Sequence, residues 1–249
     1  MKWMLLAALV AACLLTGSAG LAEDAVRDAK LTQWKEPGNI VTFGHYEQDN
    51  NLDNGPEEIE WMVLDVQGDD VLLLSKYGLE VKQFNTRYVA TTWETCSLRR
   101  WMNDEFLNTA FTEEEQSSIL LTDVDNSPSQ GHPRYQANSG NNTQDRIFAL
   151  SWAEANRYLN VTYEDGNNVG ARVAPTPYAK ARGAWTKREY QTAEQLDGGR
   201  GWLRSPGRHP NRTSYVCHPG WVRDNQTTAG SPLFGYILAR PALWVRLGS

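Results

Sequence analysis

The chain has 249 residues, 24 Lys and Arg against 30 Asp and Glu, a formal charge of -6, and ten Trp. Such an acidic balance repels phosphate backbones, and the basic residues are interspersed with acidic ones instead of gathered, which sets nucleic acid aside as a partner. Three cysteines are too few for a disulfide-built scaffold, so stability has to come from packing.

Residues 1–22 read as an export signal: Lys2, an apolar run from Met4 to Leu15, then small residues ending in Gly20-Leu21-Ala22. The run is shorter than the roughly 20 residues a membrane-crossing helix needs, and no later segment comes near that length, so no membrane insertion of the mature domain is expected. Leu9-Val10-Ala11-Ala12-Cys13 resembles the site at which bacterial lipoproteins are cut and lipidated. The apolar run continues past it through Leu14 and Leu15, which favours cleavage after Ala22. Loss of Lys2 takes the formal charge from -6 to -7. Residues 23–38, mixed in charge and ending at Pro37-Gly38, are expected as a linker. Residues 39–249 are expected as a single domain, of a size one core can sustain.

Ile40 to Tyr46, Ile59 to Val66 and Asp70 to Ser75 are β-rich and predict three antiparallel strands. Gln67-Gly68-Asp69 is the tight turn between the last two, and Asn50 to Pro56 the longer polar connection. Leu98, Trp101, Met102, Phe106 and Leu107 fall at helical spacing within Thr95–Leu107, with Thr95 or Glu94 as cap. Thr112 with Glu115 and Ser151 with Glu154 form capping boxes that open two further helices. Ile119 to Val124 and Ile147 to Leu150 predict strands, and the polar run Asp125 to Gln144 a long surface loop. Val161 to Gly201 predicts loops with one short helix at Pro177 to Arg182. Gly201 to Gly207, Tyr215-Val216 and Tyr236 to Val245 predict short strands between turns. Strands and helices interleave without regular alternation, so the expected class is α+β: one domain with a mixed or antiparallel sheet, packed helices and long loops.

Several motifs follow one another along this pattern: Phe43-Gly44-x-Tyr46, Ile59-Glu60-Trp61-x-Val63-Leu64, Leu72-Leu73-Leu74-Ser75 and Thr92-Trp93-x-x-Cys96-x-Leu98-Arg99-x-Trp101. Phe106-Leu107-Asn108-x-Ala110-Phe111, Asp145 to Ser151, Pro175-Thr176-x-Tyr178-Ala179-x-Ala181, Trp202 to Gly207 and Arg240-Pro241-Ala242-Leu243-Trp244 complete the set. In that order they resemble the bacterial family known as domain of unknown function 6273, common among proteins exported by gut Firmicutes, over about residues 39 to 247. The ending, with its Trp-Leu-Arg-Ser-Pro and Arg-Pro-Ala-Leu-Trp blocks, resembles the C-type-lectin-like fold of sulfatase-modifying-factor relatives and retroelement-diversified binding proteins. The resemblance implies a ligand-binding scaffold with a variable C-terminal face. Sulfatase-modifying relatives work through a cysteine pair near that end, where this chain has only Cys217, which puts such an activity in doubt.

Between the two blocks, Arg208, His209, Asn211, Arg212, Tyr215, His218, Trp221, Arg223, Asn225 and Gln226 are the candidate ligand-binding residues. Trp and Tyr offer flat apolar faces at low entropy cost, and Arg and Asn give directional hydrogen bonds. The bland alternative is a solvated loop held by Trp202 and Trp244 as core anchors. No His-Glu-x-x-His, Gly-x-Ser-x-Gly or phosphate-cradling glycine loop is present, and His45, His132, His209 and His218 lack ligand spacing, so no catalytic residue, metal or cofactor is expected. Asp49-x-Asn51-x-Asp53-x-Gly55, ending at Glu60, approaches a calcium loop, but its glycine falls one place late and a solvated hairpin loop explains it better. Cys96 and Cys217 are expected as unpaired thiols. The expected function is an exported module recognising a glycan or protein surface through its C-terminal region. An extracellular enzyme, glycan-directed or sulfatase-modifying-factor-like, and an envelope interaction protein are the alternatives.

Overall fold

The computed structural model describes residues 31–133, 137–161, 171–186, 198–218, 220–227 and 236–248. The expected signal, Cys13 and the first half of the expected linker, residues 23–30, lie outside them. Among the described residues no helix is long and apolar enough to cross a membrane.

In chain order the first half holds β1 (Ile40–Tyr46), β2 (Glu57–Gln67), β3 (Asp70–Ser75), β4 (Tyr77–Gly78), β5 (Glu80–Val81), α1 (Ser97–Trp101), α2 (Leu107–Ala110), α3 (Glu113–Ser118) and β6 (Thr122–Val124). The second holds β7 (Thr143–Asp145), α4 (Trp152–Leu159), β8 (Ala174–Pro175), α5 (Pro177–Ala181), β9 (Gly201–Pro206), β10 (Arg212–Val216), β11 (Val222–Thr227), β12 (Leu238–Ala239) and β13 (Ala242–Arg246). A four-stranded antiparallel sheet runs β1-β2-β3-β13, and a five-stranded one runs β11-β10-β9-β12-β5, with β12 parallel to β9. The fold is a single mixed α+β domain of mostly antiparallel sheets and a few short helices.

The first sheet follows from its alternation. Ile59, Trp61 and Val63 of β2 turn inward while the residues between them are half-buried, the period of two that a strand imposes. Gly68, at φ 68°, supplies the left-handed conformation the two-residue turn into β3 requires. Gly44 has the same φ for another reason: it lies at a register shift in β1, and a Cβ there would stand 2.5 Å from the Phe111 ring.

Helix starts follow their side chains. Both expected capping boxes form, Thr112 with Glu115 and Ser151 with Glu154. The cap of α1 is neither Thr95 nor Glu94 but Cys96, whose Sγ accepts from the Arg99 amide at 3.3 Å, while Thr95 closes a box on Thr92 one turn earlier. A π-helical turn, Met102–Phe106, joins α1 to α2, so the predicted helix is continuous but bulged.

Three further expectations change. Trp34, in the stretch read as linker, is buried edge-on to Phe43 at 5.9 Å and belongs to the core. Of the two predicted strands around α3 and the polar run, only Thr122–Val124 pairs as a strand; Ile119 and Phe148 make single bridges to Val245 and Ala242. The polar run Asp125–Gln144 is not all surface: Asn126 is buried, with Nδ2 donating to Asn141 O and Thr143 Oγ1, and His132 is buried edge-on to Trp152. Polar composition predicts exposure only where the polar atoms lack protein partners.

Trp61, Trp93 and Trp202 fill the centre of the core. Their indole N–H groups are placed by partners: Trp61 donates to Phe43 O, Trp93 to Asp145 and Trp202 to Lys82 O. Asp145, fully buried, also accepts from Thr143 and from Arg99 Nε at 2.6 Å, so one carboxylate ties β7 to the start of α1. Trp202 is the core anchor expected of it, whereas Trp244 is half-buried and packs on the core from outside.

Candidate functional site

The C-terminal sheet places the predicted binding residues in three environments. Arg208 and His209 are exposed in the turn between β9 and β10. Asn211 follows them, half-buried, with Nδ2 donating to Tyr88 Oη at 2.7 Å, and Arg212 opens β10. The backbones of Asn225 and Gln226 lie in β11, with side chains outside the described set.

The third group forms a connected string of rings and cations. The Arg200 guanidinium lies over Trp185 at 4.2 Å and over Tyr215 at 5.8 Å. His218 meets the Trp185 ring edge-on at 5.4 Å, and Arg223, exposed, lies 5.8 Å over Trp221. Tyr215 and Arg223 face each other across β10 and β11 and are hydrogen-bonded. Burial pushes the Tyr215 hydroxyl pKa up, against the pull of the nearby Arg200 and Arg223 charges. Tyr215 is itself buried, so it supports the face from beneath and is not part of the contact surface. Trp185, Arg200, His218 and Trp221 are half-buried. Arg200 Nε and Trp221 Nε1 are buried donors with no hydrogen-bond partner among the described residues, a deficit of about 1–3 kcal/mol each. Trp185 and Arg200 lie outside the segment singled out from sequence. Their neighbours on the face are distant in the chain, and the one local signal is an aromatic in a charged stretch.

The arginines of the Trp202–Pro206 and Arg240–Trp244 blocks serve the scaffold. Arg204 is 1% exposed at its side chain and forks onto Glu154 of α4, with further bonds to Ala149 O and Asp125 O. Arg240 is buried and donates to Ser75 O and Ala171 O. Burial with no carboxylate partner among the described residues lowers its pKa to about 10.

Cys96 and Cys217, the cysteines among the described residues, are free and buried. Burial raises the Cys96 thiol to about 12 and the Cys217 thiol to about 11, so neither offers a thiolate near neutral pH. The calcium spacing from Asp49 to Glu60 is not gathered: Glu60 faces Lys76 at 3.0 Å. Glu47, Asp49 and Glu57 do come within 4.8 Å, but their oxygens accept from the Gln48, Asp49 and Asn51 amides, the bonding of a self-satisfied polar turn.

A cleft of about 390 Å³ lies elsewhere, between the end of β1, the β1–β2 loop, β5, the π turn and α5. At its floor Glu80, with a side chain 3% exposed, accepts from Tyr46 Oη at 3.1 Å and from its neighbour Val81's amide. Tyr178 stands edge-on to Tyr46 at 6.3 Å, and Glu105 and Arg182 are at the mouth. Burial, and then the Glu80 charge, hold the Tyr46 phenol far above its usual range, so it stays a donor. Sequence offered one hint, a carboxylate between apolar Leu79 and Val81.

The family model described as a domain of unknown function, 6273, matches residues 68–247, and the chain belongs to that family. The match begins at Gly68, so β1 and all of β2, which complete the first sheet, precede it. Comparison with curated proteins and with solved structures finds no match.

Proposed function

We propose that the chain is an exported ligand-binding domain that grips a glycan through the face built by Trp185, Arg200, His218, Trp221 and Arg223. The observation that carries this reading is the string of half-exposed indoles interleaved with guanidinium groups beside the β9–β10–β11 sheet. Indole faces stack on the apolar faces of sugar rings, and arginine and imidazole donors reach their hydroxyls. The reading carries a C-type-lectin-like scaffold with it. In support, β13 returns to the N-terminal sheet while the segment before it folds into a second sheet that displays the face. Thiol chemistry finds no support in two buried, protonated cysteines.

A glycan array probed with the purified protein and with a Trp221→Ala/Arg223→Ala variant tests it. Binding by the parent and loss in a folded variant is the expected result. Binding that survives the substitutions, or binding to protein ligands only, overturns the proposal.

A further inference from the structure

We propose that the cleft floored by Glu80 is a binding site for an organic ammonium ion, distinct from the C-terminal face. A volume of about 390 Å³ falls in the range of small-molecule pockets, roughly 300–1,000 Å³. Among the charged groups that line it, Glu47, Glu80 and Glu105 outnumber Arg182, leaving two excess negative charges. The buried Phe106 ring gives the cleft a low-dielectric wall, which strengthens that field for a cation entering from water.

The corner between Glu80 and Tyr178 is already a cation site with an occupant from the chain itself. Arg182 lies 5.4 Å over the Tyr178 ring and its Nε is 3.6 Å from Glu80 Oε1, a loose contact. Its side chain is 56% exposed, whereas Glu80 is 3% exposed, so the anion is fixed and the cation is free to swing out. An incoming ammonium ion replaces that loose guanidinium, taking the Glu80 oxygen and the Tyr178 face together. Tyr46, donating to the other Glu80 oxygen, holds the carboxylate in place for the exchange. Glu105, 69% exposed and 3.9 Å from Lys82, then stands at the mouth for a second positive group. The same chemistry is offered by a free diamine and by a lysine side chain on a peptide.

Calorimetric titration of the purified full chain with putrescine, and separately with a short lysine-containing peptide blocked at both ends, tests the proposal. Binding of putrescine alone assigns the site to small amines, and binding of the peptide alone to protein lysines. Glu80→Gln keeps the Tyr46 bond and removes the charge, and is expected to weaken binding about thirtyfold or more. Glu105→Gln is expected to weaken it about two- to fivefold. Arg182→Ala removes the internal competitor and is expected to tighten binding by about two- to fivefold. Unchanged melting temperatures show that the variants are folded. No heat with either probe, or an Arg182→Ala variant that loses binding, overturns the proposal, because Arg182 would then be a ligand contact instead of a displaceable counter-ion.

Discussion

Removing the charge of Glu154 isolates what the buried Arg204 needs. The Glu154→Gln change keeps the capping box, since glutamine serves at that position as well as glutamate, and so spares the start of α4. What it strands is a guanidinium 1% exposed to solvent, left with the carbonyls of Ala149 and Asp125, the Phe148 ring at 5.7 Å and the nearby Asp125 charge, and with Nε already unpartnered. Breaking a buried pair from one side costs about 3–5 kcal/mol. Glu154 is 27% exposed, so some of its attraction is screened and about 3 kcal/mol is the expected loss. For a domain of this size that lowers the melting temperature by about 6–12 °C. Urea unfolding gives the free energy, and the Arg204→Met single and Arg204→Met/Glu154→Gln double variants complete the cycle that gives the coupling, expected near 2 kcal/mol. A loss under about 1 kcal/mol for Glu154→Gln refutes the reasoning, since the two carbonyls and the Asp125 charge would then satisfy the cation without Glu154.

Gly44→Ala and Gly68→Ala share a φ of 68°, but only the first places its Cβ against Phe111 and the Ala110 carbonyl. Unfolding experiments are expected to give about 1–2 kcal/mol for Gly68→Ala and about 2–5 for Gly44→Ala; equal losses would remove the close-packing argument. Cys96 and Cys217, protonated and buried, are expected to resist alkylation at pH 8 in the folded protein and to react in concentrated guanidinium chloride, with peptide mass mapping to locate the label. Asp70 is held below its ordinary 3.8 chiefly by the Arg246 hydrogen bond, so the β3–β13 clamp is at full strength above about pH 4. Its contribution is lost as pH falls through the lower folded value. The acid limb of the stability curve is therefore expected to flatten in Asp70→Asn, and an unchanged limb would show that the clamp contributes nothing.

Local rules carried the fold a long way. The alternation of β2, the Gly68 turn and the boxes at Thr112 and Ser151 each depend on residues within one turn or one strand, and each forms where it is expected. Ile147 to Leu150 misleads because a run of four buried apolar side chains is equally at home in an extended segment that meets one bridge partner. Cys96 as a cap is invisible to a rule built on oxygen acceptors. The candidate faces were less legible. Trp221 and Arg223 were singled out by composition, but Trp185 and Arg200 join them only through tertiary packing. Tyr215, from the same stretch, is buried because β10 is an interior strand between β11 and β9, covered along its whole run from Thr213 to Val216. The Glu80 cleft draws Tyr46, Glu105 and Arg182 from three distant segments, a juxtaposition that no spacing in the chain encodes.

The pairing of β13 with β3 has a kinetic side. Arg246 bonds to Asp70 across 176 positions, so closing that sheet confines nearly the whole intervening chain in one loop. Loop entropy grows slowly with length, but long-range pairing must be paid before it is rewarded, and folding slows as the mean separation of contacts rises. The hairpin of β2 and β3 can form early, with β3 carrying an open edge until residues 242–246 arrive. Until then that edge, Val71 to Leu74, offers unpaired backbone groups beside a run of apolar side chains, the kind of strand edge that pairs with another chain until β13 covers it.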